Sequence, residues 1–254
     1  MTDTRVPRAR LRLYRLSFAV LVLGGWYAFS LTSSINILAP PHEIVGKLIE
    51  SLVDGELWTY LKPTGTILLA GSAIAIAVGV PTGIVIGRFW SLNRLTDAAI
   101  YTLYLTPKVA LVPFMLVALG YGTSTKVMIV VISGIFPIII STAAGVRSVD
   151  KDQLELARSY CSSELETWRD VVIPSARPLI ITGLRLGLSH ALTGAVVADF
   201  FAGATGFGYL IILYSNRFDG AGALYPVVVL GALGFAVVSG LQWVERRTSP
   251  WAQV

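Results

Sequence analysis

Charged residues are scarce in this sequence, and their scarcity excludes an ordinary soluble domain. Aspartate, glutamate, lysine and arginine make up 14% of the 254 residues, hydrophobic residues make up 54%, and the mean hydropathy is +0.70. Soluble domains carry roughly 25% charged residues. The composition therefore predicts a single polytopic membrane domain.

Residues that catalyse reactions or bind metals are scarce as well. The chain has one cysteine, Cys161, and two isolated histidines, His42 and His190. A lone cysteine excludes a disulfide framework and a cysteine-rich metal site within the chain, and we expect both histidines to be packing or interfacial residues. No Ser-His-Asp or Cys-His arrangement is evident, and no G-x-x-x-x-G-K-[ST] run is present to bind the phosphates of ATP. We therefore expect no enzyme, no catalytic residues, no metal site and no cofactor.

Long apolar runs are what the sequence has in abundance. About 20 residues are needed to cross roughly 30 Å of hydrocarbon. Six spans are predicted, at about 16–35, 64–86, 95–119, 126–146, 179–201 and 223–244. The third is expected to break at Pro107 and Pro113, and residues 41–61 are expected to form an amphipathic helix on the outer surface. The first run is too long for a cleaved signal, and the two prolines after Ala39 make a poor cleavage site.

The positive charges divide unevenly between the two sides of such a membrane protein. Six spans place both termini on one side, which also holds most of the arginines, while the other side holds only Lys47, Lys62, Lys126 and Arg217. The positive-inside rule then predicts cytoplasmic termini. We expect a basic cytoplasmic segment at 1–15, a transmembrane domain at 16–247 and a cytoplasmic tail at 248–254.

A long polar interruption, residues 149–185, stands out against the apolar chain and is predicted to form two short amphipathic helices. Asp150 and Gln153 offer a capping box for the first helix, and Ser163 and Glu166 offer one for the second. The expected end of the second helix is Pro174, because the residue before a proline avoids the α region. The predicted apolar stripes are Leu154, Ala157 and Cys161 on the first helix and Leu165, Trp168 and Val172 on the second. Both stripes must be buried, and packing on the protein's own membrane helices is one way to do it.

The same segment resembles the EAA loop of ABC-importer permeases. That motif runs Glu-Ala-Ala, three residues, Gly, nine residues, then Ile-x-Leu-Pro. The chain has Glu155-Leu156-Ala157, then Cys161, then Val171-Val172-Ile173-Pro174 at the same spacing. Leu156 and Cys161 are the departures, and the glycine that Cys161 replaces sits at the turn between the two helices. We expect Cys161 to be a packing residue there.

The similarity continues along the rest of the chain, from about Pro40 onward. The run from Pro107 to Pro113 resembles the broken third span of the permease branch that imports sulfonates, nitrate, taurine and vitamin precursors. Gly183-Leu184-Arg185, the residues 196–201 and the residues 206–210 resemble its fifth span and outer loop. That branch usually has glutamate where Asp199 stands.

The resemblance implies a fold, a function and partners. The fold is an all-α polytopic membrane protein of about six transmembrane helices, like a type I ABC importer permease, with a cytoplasmic coupling loop at 149–178. The function is that of the membrane subunit of an ATP-binding-cassette importer in the bacterial cytoplasmic (inner) membrane. Its partners would be a pair of P-loop ATPase subunits that bind ATP and magnesium, a second permease copy and an extracytoplasmic substrate-binding protein, with no nucleic acid. The substrate would be a small anion such as a sulfonate, taurine or nitrate, or a vitamin precursor.

Two groups of candidate residues follow. Contact with the ATPase is expected for Glu155, Ala157, Arg158, Cys161, Ser162 and Pro174. The translocation pathway is expected to include Pro107, Lys108, Pro113, Thr193 and Asp199. A charge at the bilayer centre costs roughly 2.5–3.5 kcal/mol, so such side chains face a cavity or a partner. Alternatively, Lys108 reaches the cytoplasmic interface, or Asp199 is a structural partner for a backbone donor in the outer loop.

Two other classes of protein compete with the importer subunit. A self-contained secondary transporter or channel would use the polar segment only for internal packing. Such transporters often show internal repeats, and no convincing repeat relates the two halves of this chain. Internal packing also gives no reason for the EAA spacing. A membrane-embedded enzyme lacks a catalytic constellation.

Overall fold

The computed structural model describes residues 8–32 and 38–248, and the regular structure in these ranges is helical. The helices are α1 (Arg8–Thr32), α2 (Pro41–Val53), α3 (Glu56–Arg88), α4 (Trp90–Leu105), α5 (Lys108–Leu119), α6 (Thr123–Arg147), α7 (Lys151–Ser159), α8 (Glu164–Thr167), α9 (Ile173–Phe201), α10 (Phe207–Asn216) and α11 (Gly220–Thr248). A π-helical turn, Trp168–Val172, joins α8 to α9. The all-α prediction is confirmed.

Within the described ranges, four helices are long and apolar enough to cross a membrane: α3, α6, the continuous run Glu164–Phe201, and α11. Helices α4 and α5 meet at a bend of 91° and make a fifth span if they are counted together. The predicted first span falls on α1, whose described apolar part, Ser17–Leu31, is shorter than these four. Residues 33–35 of that prediction lie outside the described residues.

The predicted boundary between the surface helix and the second span was wrong. The surface helix ends at Val53, and α3 begins at Glu56 instead of near residue 64. Gly55 has a φ of +78°, a left-handed conformation that glycine adopts without strain. Gly55 thus lies in the short link between the end of α2 at Val53 and the start of α3 at Glu56.

The predicted break at Pro113 was also wrong, whereas the break at Pro107 is confirmed. Pro107 is the N-cap residue of α5, and Pro113 lies inside that helix. A proline at the start of a helix costs nothing, because its missing N–H would have no partner there. An internal proline removes one hydrogen bond, which membrane helices tolerate when neighbouring structure covers the freed carbonyl.

The described residues form two compact units, one within 1–58 and 210–228 and the other within 59–209 and 229–254. In the first unit, a polar cluster is built around Glu56. Tyr214 and Tyr225 donate hydrogen bonds to its carboxylate at 2.8 and 2.9 Å, and Ser51 donates one to the Tyr225 hydroxyl at 2.9 Å. These bonds satisfy hydroxyl groups that would otherwise be buried without partners.

In the second unit, small residues bring the helices into close contact. A Cβ atom at Gly187 of α9 would lie 2.5 Å from Ile138 Cγ1 and 2.7 Å from the Gly134 carbonyl oxygen of α6. A Cβ atom at Gly83 of α3 would lie 2.6 Å from the Thr142 Cβ atom of α6. Membrane helices associate through such small-residue contacts, because lipid provides no hydrophobic driving force between them. Helix α6 is therefore held between α3 and α9.

Candidate functional site

The polar segment 149–178 begins with helix α7, whose cap differs from the prediction. The Asp150 side chain accepts a hydrogen bond from the Asp152 backbone N–H at 3.0 Å. Gln153 does not complete a capping box, because its side-chain oxygen accepts a hydrogen bond from the Ser175 hydroxyl at 3.2 Å. Gln153 thus ties α7 to the first turn of α9.

The second predicted capping box is confirmed. The Glu166 carboxylate accepts from the Ser163 backbone N–H at 2.8 Å, and Ser163 Oγ accepts from the Glu166 backbone N–H at 3.3 Å. These reciprocal bonds satisfy two of the N–H groups that the first turn leaves without partners. They fix the start of α8.

The turn between the two helices depends on an unusual backbone conformation at Cys161. Its φ is +55°, in the left-handed region. The Cys161 N–H donates to the Arg158 carbonyl at 2.9 Å, and the Ser162 N–H donates to the Ala157 carbonyl at 3.1 Å. This pair of bonds is the Schellman motif, which normally has glycine at the left-handed position. The thiol is exposed, so the expectation that Cys161 is a packing residue was wrong. What the turn requires at this position is the left-handed backbone conformation.

The predicted helix end at Pro174 was wrong. The run from Glu164 to Phe201 is one continuous helix. The Ile173 N–H donates to the Trp168 carbonyl five residues back, which is the π pattern, and Pro174 begins the α-helical register immediately afterwards. Proline is accommodated at this change of register because its nitrogen stands where the first α-type bond is not yet required.

The inward face of the segment packs on the ends of the membrane helices. Leu154, Trp168 and Val172 contact a buried cluster that also contains Val146 and Ala176. The prediction that Leu165 shares this stripe was wrong, because its side chain is 78% exposed. A step of three residues places it about 60° around the helix from Trp168. The segment therefore packs on the membrane helices of its own chain with one face only.

The outward face of the segment carries exposed apolar side chains. Leu156 is 58% exposed and Tyr160 is 78% exposed. Glu155 and Arg158 are exposed beside them, whereas Ala157 is buried. Ala157 and the half-buried Ser162 line a cavity of about 410 Å³ between α7 and residues 170–175. The half-buried Pro174 follows the π-helical turn in the same part of the chain.

Arg88, the last residue of α3, attaches that helix to the segment. Its Nη2 atom lies 2.7 Å from Glu164 Oε2, and its guanidinium carbon lies 5.2 Å from the Trp168 ring centroid. The Arg88 side chain thus contacts both the first residue of α8 and the π-helical turn.

Three lysines lie in the helices of the membrane domain: Lys62 of α3, which is exposed, and Lys108 and Lys126, which are not. Lys126 is fully paired. Lys126 Nζ is 2.7 Å from Asp199 Oδ1, with the two side chains 5% and 0% exposed. The ammonium also donates to the Thr205 carbonyl at 2.8 Å and to the Thr205 hydroxyl at 3.0 Å. Thr64 donates to Asp199 Oδ2 at 2.6 Å and accepts from the Phe207 N–H at 2.8 Å. This network joins α3, α6 and α9 to the loop that follows α9.

The loop folds directly onto the Asp199 carboxylate. Gly206 has a φ of +92°, and a Cβ atom there would lie 2.0 Å from Asp199 Oδ2. Only glycine permits so close an approach. These contacts match the structural alternative for Asp199, and the prediction that it faces a pathway stays a prediction. Sequence reasoning missed Lys126 and Thr64, although a lysine at the head of an apolar run is a signal that a carboxylate is needed nearby.

The other lysine that is not exposed, Lys108, lies at the bend between α4 and α5. Its Nζ donates to the Tyr104 carbonyl at 2.7 Å and lies 4.8 Å from the Tyr104 ring centroid. A cavity of about 110 Å³ is lined by Lys108, His190, Thr193 and Ser133, among others. The structure therefore brings together Lys108 and Thr193 of the predicted pathway residues, together with His190, which was expected only to pack.

These features define a class of protein. It is a helical membrane protein with a polar segment, 149–178, that packs on the membrane helices with one face and exposes apolar side chains on the other. The model of the binding-protein-dependent transport system inner membrane component family matches residues 79–250, so the chain belongs to that family. The taurine transport system permease protein TauC of Escherichia coli is 26% identical over 97% of this chain and 92% of its own length. The putative aliphatic sulfonates transport permease protein SsuC of the same species is 28% identical over 98% and 95%.

The likeness extends to solved structures. An inward-facing methionine ABC transporter, MetNI, superposes with a TM-score of 0.67 at 16% sequence identity, over 76% of this chain and 98% of that one. At this identity the likeness shows the fold, which is that of type I importer permeases. Together with the family membership, this makes the chain an integral membrane permease subunit of an ABC importer.

Proposed function

We propose that this chain forms the pathway of an importer for a small organic sulfonate such as taurine, and that segment 149–178 docks on a separate ATPase. The observation that carries the docking is the two-faced structure of the segment. Its inward face packs on the membrane helices, while Leu156, Tyr160 and Leu165 are exposed. Large exposed apolar side chains on a polar segment mark a surface for a protein partner.

The contact is proposed to have an apolar centre and a charged rim. Leu156 and Tyr160 would enter a groove on the ATPase, with Glu155 and Arg158 at its edge, because buried interface cores are apolar and aromatic while rims are polar. Ala157 is buried in its own chain, so its role would be to keep α7 close to the start of α9. The cavity of about 410 Å³ beside it offers space for one side chain of the partner.

The arrangement in the membrane follows from the same proposal. Both termini and the segment would lie in the cytoplasm, as the distribution of arginine and lysine predicts. One chain carries one segment and ABC ATPases act as a pair, so two permease chains would meet, most simply as a homodimer with the pathway on its two-fold axis. The binding protein would deliver substrate from the other side.

The substrate class is supported by the relatives, two of which are named for the transport of taurine and of aliphatic sulfonates. Proteoliposomes containing the permease, its ATPase and its binding protein should take up radiolabelled taurine when ATP is inside. Nitrate and an aminopyrimidine vitamin precursor are the competitors to test in parallel. Uptake of either competitor, with no uptake of taurine or of an alkanesulfonate, would contradict the substrate assignment.

A further inference from the structure

We propose that Lys108, His190 and the first turn of α5 form an anion-binding subsite at the bend between α4 and α5, which holds the sulfonate group of the substrate during passage. The subsite deepens the proposed function and depends on it for the identity of the anion. Its location, however, is argued from charges and distances within this chain.

The first argument comes from the contrast between Lys108 and Lys126. Lys126 has a carboxylate partner at 2.7 Å and two further oxygen acceptors. For Lys108, by contrast, the described part of the chain provides no carboxylate partner, only the Tyr104 carbonyl and the face of the Tyr104 ring. An ammonium group near membrane helices requires a counter-charge or a polar cavity. Two of the three ammonium N–H donors of Lys108 remain available for an anion.

The second argument is the cavity onto which Lys108 opens. It measures about 110 Å³ and is also lined by His190, Thr193 and Ser133. The Tyr104 ring meets the His190 ring edge to face at 6.0 Å between centroids, so one tyrosine positions both the ammonium and the imidazole. A neutral imidazole supplies one N–H donor. The cavity thus presents donors and positive charge, and none of the residues lining it is acidic.

The third argument is the geometry of the bend itself. The chain turns by 91° between α4 and α5, and α5 begins at Lys108. The first turn of a helix carries N–H groups without intrahelical partners, and the helix dipole places partial positive charge there. In α5 the Ala110 N–H donates to the Pro107 carbonyl at 3.0 Å, so the N–H groups of Lys108 and Val109 are the ones proposed to face the anion. Val109, in that first turn, lines the same cavity. Broken membrane helices that direct such an N-terminus at an anionic group are a known way to bind substrate within a transporter.

Close helix packing holds the cavity walls in place. A Cβ atom at Gly194 of α9 would lie 2.4 Å from Ser133 Oγ of α6, so the two walls touch at this glycine. The Ser133 hydroxyl donates to the Ile129 carbonyl at 2.7 Å, and the Thr193 hydroxyl donates to the Ser189 carbonyl at 3.3 Å. Each hydroxyl has one hydrogen, so the donors for the anion come from Lys108, His190 and the α5 N-terminus.

The test is anion binding by the full-length permease in detergent, read as a rise in its apparent melting temperature. Methanesulfonate is the probe, and tetramethylammonium chloride at equal ionic strength is the control salt. Lys108→Met should raise the half-saturating concentration of methanesulfonate at least about tenfold, the loss expected for one charge-assisted hydrogen bond. Lys108→Arg should retain part of the affinity, and Lys62→Met, which removes an exposed lysine, should bind like the wild type.

His190→Phe is the second variant, because the phenyl ring preserves the contact with Tyr104 and removes the N–H donor. It should weaken methanesulfonate binding several-fold without changing the melting temperature of the unliganded protein. Methanesulfonate binding that is unchanged in both Lys108→Met and His190→Phe would overturn the subsite, and so would a wild type that no methanesulfonate stabilises. Binding that requires Lys108, in an importer that carries no sulfonate, would support the subsite and refute the proposed substrate.

Discussion

At the scale of single residues, Cys161 and Asp199 show how a side chain or a backbone angle determines the structure around it. Cys161 occupies the left-handed position of a Schellman turn, where a side chain costs about 1–2 kcal/mol. Asp199 is fully buried and is bound by Lys126 and Thr64. Gly206 packs so closely on its carboxylate that a Cβ atom there would overlap it. Both residues depart from the pattern of the permease family that the sequence resembles, and only one of the departures introduces strain.

Replacing Cys161 with glycine should stabilise the protein. The gain is expected to be a few tenths to about 1 kcal/mol, because relief of the left-handed strain exceeds the extra entropy of glycine in the unfolded chain. Thermal unfolding in detergent measures it as a higher apparent melting temperature. Cys161→Val should lower that temperature, since a β-branched residue fits the left-handed region worst. A glycine variant less stable than the valine variant would contradict the assignment.

Replacing Lys126 with methionine should destabilise the second unit strongly. The change leaves the Asp199 carboxylate buried without its cation, which costs about 3–5 kcal/mol. Lys62→Met is the matched control, because Lys62 is exposed. Adding Asp199→Leu to Lys126→Met should recover part of the loss, because no charge is then left unpaired. Equal melting temperatures for the two single variants would show that the ion pair does not hold the loop.

At the scale of helices, glycine positions decide which surfaces meet. Gly187→Ala should destabilise by about 1–3 kcal/mol, because the added methyl group would overlap Ile138 and the Gly134 carbonyl. Gly231→Ala is the control in α11, where a Cβ atom meets no described atom within 4 Å. That variant should gain up to about 1 kcal/mol from helix propensity alone. If the apparent melting temperatures of Gly187→Ala and Gly231→Ala shifted in the same direction relative to the wild type, that result would argue against close packing of α6 and α9.

The sequence predicted the helices better than it predicted their ends. Apolar runs identified α3, α6, α9 and α11, because hydrocarbon thickness dictates their length. The predicted helix end at Pro174 was wrong. The prediction used the rule that the residue before a proline avoids the α region, whereas here a π-helical turn precedes Pro174 and the helix continues. In the site, its polarity located the segment and the EAA spacing gave the family resemblance. The direction of Leu165 and the partner of Gln153 depend on contacts between residues distant in sequence.

At the scale of the whole molecule, the polar segment is connected to more than one membrane helix. It is continuous with α9 through the π-helical turn, and Arg88 joins it to α3 through Glu164 and Trp168. Under the proposed function, an ATPase bound to the segment would act on α9 directly and on α3 through Arg88, as part of a rigid-body alternation between inward-open and outward-open states. We propose that the ATPase binds the outward face of the segment.

The most direct test of that claim is the amount of ATPase that co-purifies with Leu156→Asp permease. A carboxylate at the centre of an apolar contact should reduce the co-purified ATPase at least about tenfold, while the melting temperature of the permease itself stays at the wild-type value because Leu156 is exposed. Val53→Asp, an exposed position on α2, should leave the ATPase fully bound. Wild-type amounts of ATPase on the Leu156→Asp permease would contradict the account.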